Sequence, residues 1–174
     1  MKGGVTVRYE TKRLTTLAVS VALAMIFSFV ESQIPTVLPG VKLGLANSVT
    51  IFLLYTLGAG YAVPVALVRI ILSTLLFGSF PTGLIFSLSG AVLSFAITLI
   101  AKHLTPFGIV GVSVLGGVFH NLGQVIAACI VMETVELAAY FVPLFLSGII
   151  AGVLVGILSA VVIAKLEKIV KKAR

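Results

Sequence analysis

PTVLPGVKLGLANSVTIFLLY, residues Pro35 to Tyr55, is the stretch on which the fold turns. Two prolines and two glycines, Pro35, Pro39, Gly40 and Gly44, prevent a continuous helix from Ser32 to Ala46, because proline removes a backbone donor and glycine relaxes the chain. The local expectation is an ordered loop leading into a helix. The apolar run before it, about Leu14 to Glu31, and the run after it, Leu45 to Leu57, are therefore separate segments. Lys42 and Asn47 lie near the mouth of the second helix, where unpaired N–H groups favour an anion or a polar head group.

Outward from that break the chain is apolar almost throughout. Of its 174 residues 60% are hydrophobic and 10% are charged, with a mean hydropathy of +1.27; a soluble domain has roughly 25% charged residues. This composition defines an integral membrane protein. The length accommodates about six spans of roughly 20 residues and no separate soluble domain. The spans expected are Leu14 to Glu31, Leu45 to Leu57, Gly60 to Phe77, Thr82 to Ala101, Phe107 to Met132 and Phe141 to Leu166. The fold class is all-α: a polytopic bundle of six transmembrane helices over residues 14–166, between an N-terminal tail (1–13) and a basic C-terminal tail (167–174). The second span is short for a hydrocarbon core of ~30 Å at ~1.5 Å per residue. It either begins inside the loop or leans on its neighbours. The first apolar run follows Lys12 and Arg13 as a signal peptide would. It lacks a small-x-small cleavage site before Glu31 and is read as retained.

Six spans put both termini on one side. With the termini in the cytoplasm, ten basic residues lie inside, Lys42 alone lies outside and Arg69 sits in mid-span, so the positive-inside rule selects this orientation. The loop from Pro35 to Gly44 then faces the exterior, together with Glu31, Glu133 and Glu136, which read as interfacial surface charges. The formal net charge of +7 is gathered at the two ends of the chain beside apolar spans, the pattern of anchors at a lipid surface and not of a nucleic-acid-binding face. Cys129, the single cysteine, lies in an apolar run and supports neither an intrachain disulfide nor a CxxC-type metal or haem site.

The residues able to carry chemistry are few. Arg69 is eight residues from both Tyr61 and Phe77, about 12 Å of helix from either end, so it cannot snorkel easily. An arginine at that depth costs at least ~2.5 kcal/mol on insertion scales. The interiors of the spans hold no acid to pair with it. It therefore meets backbone carbonyls, a water-filled gap, or an anionic or carbonyl-bearing ligand. His120 and Gln124, at i and i+4, share one face of the fifth span with Asn121 beside them, either as part of a ligand pocket with Arg69 or as interhelical hydrogen-bonding groups. Asn47 is placed to cap a helix or to touch a ligand. Lys42 is a solvated loop residue or a contact at the same mouth. The small residues Gly148, Gly152, Gly156, Ala160 and Ala164 line the sixth span at four-residue spacing, for packing within the bundle or against a partner.

The sequence contains no aspartate. Prenyl-diphosphate chemistry of the usual kind needs paired aspartates to hold magnesium, and no GxxxxGK[ST] phosphate loop is present, so neither that reaction nor ATP hydrolysis is expected of this chain. No catalytic set, metal site or cofactor is expected.

At PGVKLGLANSVTIFLLYTLGAGYAVPVALVRIILSTLLFGSF, residues 39–80, the chain resembles a family of small bacterial six-span proteins labelled Gx transporter or heptaprenyl diphosphate synthase component I. The resemblance extends over nearly the whole length. It implies a protein of the bacterial cytoplasmic membrane. The synthase label implies association with a separate catalytic prenyltransferase subunit; other relatives are linked to quinone biosynthesis and to a redox protein of a membrane electron-transfer complex. The family is also similar in size and span number to the substrate-binding S components of energy-coupling factor (ECF) transporters. These capture a small molecule on the outer side and work with a transmembrane coupling protein and two ATPases. S components commonly carry AxxxA on the first helix for contact with the coupling protein, and Ala18 and Ala22 in LAVSVALAM match that pattern. The ligand implied is a small isoprenoid, a quinone precursor or a vitamin-like molecule.

Overall fold

The computed structural model describes the chain over residues 2–33, 44–77, 80–104 and 106–172, with side chains described within 10–166. Six α-helices follow one another: α1 (Lys2–Ser32), α2 (Leu45–Thr56), α3 (Ala59–Phe77), α4 (Thr82–Leu104), α5 (Ile109–Val131) and α6 (Phe141–Lys172), with a short 3₁₀ helix, Val135–Tyr140, ahead of α6. All but α2 are long and apolar enough to cross a membrane. Hydrocarbon offers the backbone no hydrogen bonds, so a spanning segment must satisfy its own, which a helix does. Hydroxyls inside the spans bond their own helix: Thr74 donates to the Ile70 carbonyl at 2.8 Å and Ser113 to the Ile109 carbonyl at 2.8 Å.

The helices run alternately up and down. Phe29 meets Phe77 at 5.7 Å between ring centroids, and the Arg13 guanidinium lies 5.5 Å from the Tyr61 ring centroid, so α1 and α3 are parallel. Ser159 donates to the Ser48 carbonyl at 3.1 Å while Val155 lies beside Gly44, so α2 and α6 are parallel as well. At the Arg13 end the Lys102 ammonium of α4 donates to the Leu54 carbonyl at 2.7 Å and lies 4.9 Å from the Tyr55 ring centroid, a cation on the free carbonyls of the last turn of α2. The other end is marked by Glu31, Gly44 and Phe77.

α2 is 12 residues long, about 18 Å, and is buried along most of its length. It leans on its neighbours, packing between α1, α3 and α6, and its Val49, Leu53 and Leu54 form the core with Ala24, Ala62 and Val65. From there the bundle continues through α6 to α5 and α4, with α4 closing against α3. α1 packs only on α2 and α3 among the closely contacting elements. The α5–α6 contact is built on glycine. A Cβ at Gly152 would stand 2.5 Å from the Val114 Cα, one at Gly156 2.6 Å from the Val110 Cα, and one at Gly117 would collide with the Gly148 carbonyl. The stripe at Gly148, Gly152 and Gly156 thus packs within the bundle, where the absence of side chains lets backbones approach closely.

Two boundaries differ from the sequence expectation. The segment before Leu14 continues α1 as helix from Lys2, and α6 runs through the basic tail to Lys172. No proline interrupts either stretch, and extending an existing helix costs far less than nucleating one.

Candidate functional site

The polar residues of α2, α3 and α5 converge on a small chamber inside the bundle. Its position follows from how α2 begins. Gly44 adopts φ +71°, which favours glycine, and its N–H donates to the Glu31 carboxylate at the end of α1. The following turn closes with the Asn47 N–H on the Gly44 carbonyl at 2.8 Å, which leaves the Asn47 side chain facing α3. There Arg69 Nη2 donates to Asn47 Oδ1 at 2.7 Å. Arg69 Nε is buried without a hydrogen-bond partner among the described residues. The Glu31 carboxylate acts on Arg69 electrostatically. An acid does reach this arginine, from the end of α1. Glu31 is half-buried and is more than a surface charge.

α4 and α5 complete the chamber with Ser94, Thr98 and His120. Its volume is about 40 Å³, enough for water or for the oxygen atoms of one head group, since a water needs at least ~10–15 Å³. Gly90 brings the polar face of α5 this close: a Cβ there would lie 2.8 Å from the His120 carbonyl and 3.0 Å from both His120 Cε1 and Gln124 Cγ.

A second, larger cavity of about 370 Å³ opens one turn along α5, toward the Glu31 end. α4 contributes Phe86, α5 contributes Gln124, Val125 and Ala128, and α6 contributes Leu144. The 3₁₀ helix covers it with Leu137 and Tyr140. The lining residues are apolar apart from Gln124 and Tyr140. Neither makes a side-chain hydrogen bond among the described residues. The volume lies at the lower end of the ~300–1,000 Å³ typical of small-molecule pockets.

Of the residues singled out in the sequence, Asn47, Arg69 and His120 meet at the small chamber, and Gln124 lines the larger cavity. Asn121 turns to α6, where its amide donates to the Leu144 carbonyl at 2.6 Å and Ser147 Oγ at 3.2 Å. Lys42 and the loop from Pro35 to Gly40 lie outside the described residues. Ala18 and Ala22 are exposed on α1. Sequence reasoning missed Glu31, Phe86, Leu137 and Tyr140. For Glu31 the available signal was an acid placed directly before a break in the helix; an aromatic such as Phe86 carries no such mark in an apolar chain.

Fold and site together define a polytopic α-helical membrane protein that encloses a cationic polar chamber and a mostly apolar cavity within one bundle. Residues 20–162 match the heptaprenyl diphosphate synthase component I family, and the chain belongs to that family. Neither a curated protein nor a solved structure gives a significant match.

Proposed function

We propose that this protein is the substrate-binding subunit of an ECF-type transporter in the bacterial cytoplasmic membrane, with both termini in the cytoplasm. It captures a small isoprenoid, quinone-precursor or vitamin-like molecule at the Glu31 end, which faces outward. The observation that carries this reading is the cavity of about 370 Å³ at that end, with an uncommitted Gln124 amide beside the Arg69 chamber. The basic residues gathered at the opposite end support the orientation. Catalysis is not part of the proposal, since the chain has no aspartate to hold a magnesium diphosphate. Energy comes from partner ATPases through a coupling protein that docks on the exposed face of α1, at Ala18 and Ala22.

Pull-down from native membranes tests this. Ala22→Trp is expected to abolish recovery of a coupling protein and its ATPases, and unaltered recovery would remove the docking assignment. The family description favours a second reading, a non-catalytic membrane component of heptaprenyl diphosphate synthesis. On that reading the same pull-down recovers a prenyltransferase, or a redox protein if the chain serves an electron-transfer complex.

A further inference from the structure

We infer that the larger cavity selects a neutral amphiphile and rejects the diphosphate ester of the same carbon skeleton. This rests on reading that cavity as the ligand site. Its described lining holds no charged residue, and only Gln124 and Tyr140 among the lining residues carry polar side-chain groups. An amide donates and accepts and a phenol does the same, so together they suit a carbonyl or hydroxyl. A diphosphate in this place would lose its water and meet no cation among the described lining residues, and burying an unpaired charge costs far more than neutral hydrogen bonds return. The Arg69 charge does not fill that gap. It belongs to the separate chamber, where Asn47 already accepts from Nη2. That chamber, at about 40 Å³, is also too small to take in a diphosphate whole.

The test uses full-length protein in lipid nanodiscs, with empty nanodiscs as the baseline, and reads saturable binding of matched pairs: geraniol against geranyl diphosphate, and menadione against its sulfonate. The neutral member of each pair is expected to bind at least tenfold more tightly. Gln124→Leu should weaken that binding about tenfold, and Ala128→Phe, which fills the cavity, should remove it with the thermal midpoint preserved. Equal or tighter binding of the charged members, or a Gln124→Leu variant that binds like the wild type, would overturn the neutral selectivity and leave the cavity as a ligand site. Absence of saturable binding by all four probes would overturn both the selectivity and the reading of the cavity.

Discussion

Arg69 is the costliest side chain in the bundle to place, since arginine at mid-span is unfavourable by ~2.5–3.5 kcal/mol on insertion scales. The structure offsets that cost locally. Asn47 accepts from Nη2 at 2.7 Å and the Glu31 carboxylate lies within electrostatic reach. Because hydrogen bonds to charged groups contribute ~1.5–3 kcal/mol, Asn47→Leu should destabilise the protein by about that amount and strand the guanidinium. Arg69→Met in the same chain removes the stranded charge. The double variant is therefore expected to melt above Asn47→Leu alone, a coupling that a double-mutant cycle in thermal midpoints would read. Simple additivity of the two losses would show that the pair is not coupled.

At the scale of elements, the α5–α6 and α4–α5 contacts depend on glycine at the points of closest approach. Gly152 is the sharpest case, since any side chain there must push α6 off the Val114 backbone. Overpacking of this kind typically costs 1–3 kcal/mol, so Gly152→Leu should lower the thermal midpoint by roughly 2–12 °C. A midpoint unchanged from wild type would mean that the two helices separate freely. Ala22→Trp is the contrasting substitution: on an exposed face it should leave stability within about 0.5 kcal/mol and act only on partner recovery. Much of this was legible in the sequence. Apolar runs and their Pro/Gly breaks gave the six helices, and four-residue glycine spacing gave the tight packing. Arg69, Asn47 and His120 could be grouped because few polar residues lie inside spans. What was not legible depends on how the chain returns on itself. The Glu31 carboxylate accepts from the Gly44 N–H and acts on Arg69, contacts between segments that no local pattern marks. Asn121 and Gln124 are neighbours in sequence yet serve different contacts, one facing α6 and the other the cavity. The 3₁₀ helix over that cavity follows a turn in which Glu133 takes φ +51°, a conformation with no distinct sequence signature here.

Across the whole molecule, the two ends of the bundle differ in chemistry. One end carries Arg13 and Lys102 stacked on Tyr61 and Tyr55, with α1 and α6 extending their basic ends beyond the apolar spans. The other holds Glu31 and the larger cavity. This asymmetry is what the proposed capture role draws on: basic helix ends at one face and the Gln124 cavity at the other. The central claim is that the larger cavity holds a small molecule. Native mass spectrometry of protein released from its own membranes tests it most directly: the account predicts one small neutral molecule bound per chain, absent from the Ala128→Phe variant. Wild-type protein that carries no such adduct, or an adduct that persists in Ala128→Phe, would contradict it.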